Sequence, residues 1–198
     1  MNSEEVISQL FDVIGTDSVI TDNKEREYFS MDVFDIDEVA DLVIQPSSKD
    51  QISDALKILS KSDYEIIPRG GGMSYTGGYT PSTKRSAIID TSLLNQIIEI
   101  NPDDMYITVE AGCTWKKIYE ALKPMGLRLP FFGTNSGSMA TVGGGLSNGA
   151  LFFGTGKYGS AADNVLGMEI IIADGTLIKT GQNAFADAKP HHRTYGPD

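Results

Sequence analysis

Apolar positions recur at helical spacing at the start of the chain and then give way to short runs. Val6, Ile7, Leu10, Phe11 and Ile14 share one helical face; Asn2 and Glu5 are spaced as a capping box before it and Gly15 stops it. Thr21 to Glu38 is polar and acidic with scattered aromatics, and reads as a loop or connecting arm. From Ala40 the elements alternate. Leu42, Val43 and Ile44 form a short buried strand ended by Pro46, and Ser48 can cap a helix that carries Ile52, Ala55, Leu56 and Leu59 on one face. Tyr64 to Pro68 is a second strand, so the strand–helix–strand order predicts a parallel pair with a right-handed crossover.

Further short strands are expected at Ala87 to Asp90, Ile97 to Ile100 and Tyr106 to Ala111. Thr114 starts a helix with Ile118, Leu122 and Tyr119 inward, ended near Pro124-Met125-Gly126. Val165 to Ala173 reads as a long apolar strand that turns at Asp174-Gly175 into Leu177 to Thr180 as a hairpin. Pro190 to Asp198 reads as a loop, and no 20–50-residue repeat is visible.

Composition changes this picture in one respect. Hydrophobic residues make up 40% and charged residues 22% of the 198 positions, an ordinary globular balance. The 21 glycines are roughly half again what an average usage of about 7% gives, and they cluster in two tracts. The net charge of -11 disfavours nucleic acid and anionic membrane surfaces as partners, because both demand Lys and Arg. The single Cys113 rules out an internal disulfide. With no signal peptide and no apolar run long enough to span a bilayer, a cytoplasmic protein of a reducing compartment is expected.

The first tract is Pro68-Arg69-Gly70-Gly71-Gly72-Met73-Ser74-Tyr75-Thr76-Gly77-Gly78. Three glycines directly after a strand let several backbone N–H groups converge on one point, an anion-binding nest suited to a diphosphate. Ser74 and Thr76 add hydroxyls and Arg69 adds charge. No Gly-Lys-Ser/Thr follows, so this is not a Walker A loop, and no helix opens after Gly72 as the dinucleotide fingerprint requires. Alone, the tract is equally a flexible turn. The second tract, Gly133 to Gly149, mixes small and hydroxyl residues with Met139, Val142 and Leu146 as apolar anchors, which a flexible linker lacks. Two small-residue loops at strand ends suit a long dinucleotide.

Other residues invite weaker readings. His191-His192 has no Cys nearby to support a metal site. Cys113 sits in a strand-to-helix turn, where it is either a packed thiol or one activated by a helix N-terminus. Trp115 and Tyr119 at helical spacing read as core, and Asp163-Asn164 as a turn or a contact to the cofactor loop. One of Tyr75, Tyr79, Phe152 and Phe153 can touch a flat ligand beside the tracts.

The chain resembles the FAD-binding domain of the vanillyl-alcohol oxidase and p-cresol methylhydroxylase superfamily. It is most similar to the group of glycolate oxidase, D-lactate dehydrogenase and D-2-hydroxyglutarate dehydrogenase. The resemblance covers about Ala40 to Thr180. It rests on Pro68 to Gly72 with Gly77-Gly78, Ile88-Ile89-Asp90 with Leu94-Asn95, and Val109-Glu110-Ala111-Gly112. It continues with Ala140 to Gly144, Asn148, Tyr158-Gly159, Val165-Leu166-Gly167 and Ala173-Asp174-Gly175. It implies an α+β fold of the PCMH type, two α/β subdomains with FAD between them. The chain then divides into a helix and arm (1–38), a first subdomain (39–112) and a second, incomplete one (113–198).

The resemblance further implies that Arg69, Gly70, Gly71, Gly72, Met73 and Ser74, with Gly77, wrap the pyrophosphate. Thr134, Ser138, Ala140, Thr141, Gly143, Gly144 and Asn148 would line the cofactor's other side. Some relatives attach flavin covalently through a histidine where this chain has Met73, so non-covalent FAD is expected. Relatives continue to a further glycine-rich segment and a substrate domain. The expectation is therefore a C-terminally truncated fold, the flavin part of a dehydrogenase or oxidase of a 2-hydroxy acid or similar alcohol, inactive alone. Two alternatives stand beside it. One is a fragment that folds without flavin and forms a homo-oligomer through its exposed strand edges. The other is a flavoreductase of the same fold.

Overall fold

The computed structural model describes residues 1–34, 37–130 and 136–181. Thr134, with its neighbour Gly133, and the stretch from Pro190 to Asp198 with its His191-His192 pair lie outside them. Helix α1 (Ser3–Ile14) begins with the capping box: the Asn2 side chain accepts from the Glu5 N–H at 2.8 Å, and the Glu5 carboxylate accepts from the Asn2 N–H at 3.1 Å. Val6, Leu10 and Ile14 form its buried stripe, and Gly15 at φ 85° ends it. A short strand β1 (Val19–Ile20) follows.

The arm expected from Thr21 to Glu38 is not all loop, for it contains helix α2 (Asn23–Ser30). The Asp22 side chain caps it, accepting from the N–H groups of Lys24 and Glu25. Tyr28 and Phe29 are the only large apolar side chains on this otherwise polar helix, too few to reveal a periodic stripe in sequence.

Strands β2 (Leu42–Ile44), β3 (Glu65–Arg69) and β4 (Ser86–Asp90) join β1 in one sheet of order β1-β2-β4-β3. Helix α3 (Lys49–Ser60) crosses between β2 and β3, with Ser48 Oγ accepting from the Gln51 N–H. The two strands are parallel as expected, but they are not neighbours. β4 pairs in parallel with both. Every residue of β4 is buried, which fits a central strand covered on both faces.

The period of two sorts the sheet into two cores. Leu42, Ile44, Ala87 and Ile89 meet α1 and α3 on one face. Val43, Ile67 and Ile88 meet Ala40 and Tyr79 on the other, with Phe29 of α2 packed alongside. The second face carries the site.

A third cluster lies beyond. The hairpin of β5 (Ile97–Asn101) and β6 (Tyr106–Val109) packs on helix α4 (Trp115–Leu122) through Cys113, Trp115, Ile118 and Leu122. The Thr114 side chain caps α4 by accepting from the Lys117 N–H. Tyr119, expected inward, is 46% exposed. The buried stripe runs through positions 115, 118 and 122, and the Tyr119 ring instead lies 5.5 Å from the Lys123 ammonium. Helices α5 (Val142–Ser147) and α6 (Thr155–Tyr158) shape the second glycine tract.

The long strand expected over Val165 to Ala173 is only β7 (Glu169–Ile171), paired with β8 (Leu177–Lys179). Val165 instead closes a 3-10 turn with its N–H on Ala162 O. Asp163 and Asn164 lie in that turn, held by Ser160 and Tyr158. The hairpin is fastened to α3 by Ser53 Oγ, which donates to Gly175 O, and by a Lys49–Glu169 ion pair at 2.9 Å.

Candidate functional site

β3 and β4 end side by side, with Arg69 opposite Asp90. The first glycine tract leaves the sheet at this point, and the Thr91 N–H donates back to Arg69 O at 3.0 Å. Among the described residues, the N–H groups of Gly70, Gly71, Gly72 and Met73 donate no hydrogen bond. Four successive free donors at a strand end are what an anion needs.

The loop has no room for side chains. A methyl group on Gly70 would lie 2.5 Å from Thr141 Oγ1, one on Gly71 would overlap the Met139 carbonyl, and one on Gly72 (φ 63°) would overlap the Arg69 guanidinium. The two glycine tracts therefore meet face to face. They border a cavity of about 470 Å³ whose wall includes Gly70, Gly71, Gly112, Ser138, Met139 and Thr141. Its size is within the range of small-molecule sites. Free N–H donors, backbone pressed against backbone, and a cavity shared by both tracts fit an elongated diphosphate-bearing molecule.

The expected residues divide by position. Gly70, Gly71, Ser138 and Thr141 line the cavity, as does Arg69. Thr141 also caps α5, accepting from the Gly144 N–H at 3.2 Å. Gly144 faces Gly70, whose added methyl would come 3.6 Å from its Cα. Gly143 does different work: its N–H donates to Ala111 O at 2.8 Å, and a methyl there would sit 2.9 Å from Ala111 Cβ. Ala140 packs into the third cluster and Asn148 ends α5. Ser74 Oγ bonds Thr76 Oγ1 at 2.9 Å, and the Gly77 N–H donates to Asp32 Oδ2 at 3.1 Å.

Residues that sequence reasoning did not assign complete the wall. Tyr28 and Phe29 reach it from α2, and Gln45, Asp90, Ser92, Asn95 and Lys117 add polar groups. The Lys117 ammonium donates to Asn95 O at 2.7 Å and Asn95 Oδ1 at 3.0 Å. Asp90 had a signal in the sequence, since a carboxylate closing the apolar run Ala87-Ile88-Ile89 must be paired if buried. Burial raises the Tyr79 hydroxyl above its ordinary value, with the Arg69 charge opposing. Burial likewise pushes the Cys113 thiol up, away from the thiolate that reactivity needs. Among the described residues no group of His, Cys, Asp or Glu could hold a metal ion, and no helix is long and apolar enough to cross a membrane.

Fold and cleft together define a domain with a cavity between two small-residue tracts, of a shape that suits an elongated nucleotide. A sequence model of the family described as FAD binding domain matches residues 40–181, and the chain belongs to that family, with FAD as its cofactor. Glycolate oxidase subunit GlcD of Bacillus subtilis is 30% identical over 197 residues, 98% of this chain and 41% of the relative. The mitochondrial D-lactate dehydrogenase [cytochrome] of Kluyveromyces lactis is 31% identical over 155 residues, 77% of this chain and 26% of the relative. The chain thus spans about two fifths or less of these relatives. The structure of p-cresol methylhydroxylase with substrate bound superposes with a TM-score of 0.82 at 18% identity over 98% of this chain and 39% of that one, which establishes the α+β, PCMH-type fold.

Proposed function

We propose that this chain holds FAD non-covalently for a dehydrogenase or oxidase acting on a 2-hydroxy acid or similar alcohol. The observation that carries the reading is the meeting of the two glycine tracts around one cavity, with the N–H groups of Gly70 to Met73 unpaired beside it. The diphosphate would lie on those donors. Ser138, Thr141 and Gly144 would face it from the second tract, with Ser74, Gly77, Ala140, Gly143 and Asn148 in supporting positions; a cofactor contact by Thr134 is carried by the family resemblance alone. When bound, FAD would supply the hydride-transfer chemistry. The chain's own residues would orient the cofactor through the free N–H groups of Gly70 to Met73. Met73 carries a thioether, which supports non-covalent attachment. The substrate class is supported by the glycolate oxidase and D-lactate dehydrogenase relatives. A cytoplasmic setting is supported by the lone, buried Cys113, and the division at 38/39 and 112/113 is part of the same reading.

Titrating the purified apoprotein with FAD tests it. Binding should quench flavin fluorescence and yield a yellow protein that loses its flavin on denaturation. Anaerobic addition of glycolate or D-lactate to the full-length protein should then bleach the flavin band. A sample that takes up no flavin removes the assignment.

A second reading, self-association through strand edges without flavin, has one observation in its favour. Ile170, Ile172, Leu177 and Ile178 around the β7–β8 hairpin are each between 38% and 41% exposed. Size-exclusion chromatography separates the two readings, because a flavin-free dimer favours the second and a flavin-bearing monomer excludes it.

A further inference from the structure

Arg69 lines the cavity, but its side chain is engaged by partners within the protein. Its side chain is 9% exposed and that of Asp90 2%. Nη1 lies 3.8 Å from Asp90 Oδ1, close enough for a charge pair and too far for a hydrogen bond. Neither Arg69 Nε nor Asp90 Oδ1 has a hydrogen-bond partner. Three rings enclose the guanidinium, with their centres 5.6 Å (Tyr28), 5.1 Å (Phe29) and 5.5 Å (Tyr79) from its central carbon. At such distances cation–π attraction holds a planar cation in place. The guanidinium also fills the volume that a side chain on Gly72 would take. The Tyr79 hydroxyl pins the same loop, donating to Gly72 O at 2.9 Å and Ser74 O at 3.2 Å. Asp90 is held in turn by Gln45 Nε2 at 2.8 Å and by Ser92 Oγ, both on its Oδ2.

We propose that Arg69 is a positioning residue for the diphosphate of FAD. With Asp90 and the rings of Tyr28, Phe29 and Tyr79 it forms the floor under the Gly70–Gly72 turn and keeps that turn's N–H groups free for the anion. The negative charge is met by the backbone, and the guanidinium charge is already balanced by Asp90. Helix α2 thereby becomes part of the cofactor site without touching the diphosphate. This rests on the FAD reading above.

The two roles of Arg69 predict opposite signs. If its charge reached the diphosphate, Asp90→Asn would remove a competing anion and tighten FAD binding. As a floor, the pair loses its hold when Asp90 is neutralised, and the dissociation constant of the full-length apoprotein for FAD should rise about tenfold. Arg69→Lys keeps the charge but not the plane, so it should bind FAD as poorly as Arg69→Met. Neither substitution should change the slope of affinity against salt, which a direct phosphate contact would lower. Should Asp90→Asn not fold, Ser92→Ala carries the test, because it keeps both charges and removes only a hydroxyl that orients the carboxylate. A loss of about threefold in affinity is expected there.

Asp90→Asn that binds as tightly as wild type or tighter, rescue by Arg69→Lys, or an unchanged Ser92→Ala would each overturn the positioning role and leave the FAD reading standing. A wild-type protein that binds no FAD overturns both.

Discussion

The two glycine tracts share a composition and use it in different ways. In the first, Gly70 to Gly72 follow a strand end, open no helix and leave their N–H groups unpaired. In the second, Gly143, Gly144 and Gly145 lie inside α5, and their N–H groups bond Ala111 O, Thr141 Oγ1 and Thr141 O. There the missing side chains let the helix approach Ala111, Trp115 and Phe152. Both tracts depend on close approach, but only the first also leaves its donors free. Glycine content alone therefore does not single out free donors; the hydrogen-bond state of each N–H does.

The hardest test of this contrast is a methyl group on each side. In Gly71→Ala the new Cβ overlaps the Met139 carbonyl, so backbone must move in both tracts. An overpacked position of this kind costs about 1–3 kcal/mol of stability. Here the displaced segment is also the donor loop, so FAD affinity should fall by at least about tenfold. Gly143→Ala presses on Ala111 at 2.9 Å from its Cβ and 3.0 Å from its carbonyl oxygen. It should lose about 1 kcal/mol of stability and keep its FAD affinity once folded. Thermal unfolding and flavin titration on both variants read the two effects separately. Equal losses of affinity would dissolve the contrast.

Thr141→Val sharpens it from the point where the tracts touch. Valine keeps the branched shape and removes the oxygen that caps α5, a change worth about 1 kcal/mol. Since Thr141 also lines the cavity, FAD affinity should fall with stability, unlike Gly143→Ala.

The same contrast shows what could be read from sequence. Both tracts were legible as distinct segments because their small residues stand out, although the second, read as a loop, contains α5, and the start of α4 at Thr114 was legible from its hydroxyl. The position of β4 between β2 and β3 was not, since local periodicity carries no information about which parallel strands neighbour each other. Helix α2 was hidden because only Tyr28 and Phe29 interrupt its polar surface. That omission concealed the aromatic floor beneath Arg69. The direction of the Arg69 side chain was also out of reach, for Asp90 lies 21 positions away and only the β3–β4 register brings the two together. That Gly143 packs on Ala111 and Asn148 ends α5 could not be seen without knowing that α5 is helical.

The smallest effect lies far from the cleft, where the β7–β8 hairpin is fastened to α3. Glu169 sits between Lys49 at 2.9 Å and Lys179 at 3.1 Å, and these ammonium groups hold its carboxyl below the ordinary 4.5. The Glu169 bond in turn raises Lys49 above its ordinary 10.5. A depressed carboxylate contributes stability that is present above its unfolded pKa and lost as pH falls through the folded value. A raised lysine contributes stability that is present below its unfolded pKa and lost as pH rises through the folded one. The cluster therefore stabilises between about pH 5 and pH 10. Both partners are substantially solvated, with side chains 54% and 35% exposed, so screening limits the gain to a few tenths of a kcal/mol. Glu169→Gln should lower the unfolding midpoint slightly at pH 7, less so in high salt, and the difference should shrink as pH falls below the ordinary carboxylate value. FAD affinity should not move, because the contacts that fasten this hairpin run to α3, which packs on the sheet face opposite the site. A variant that lost flavin along with the ion pair would tie the hairpin to the cleft and extend the site well beyond the two loops.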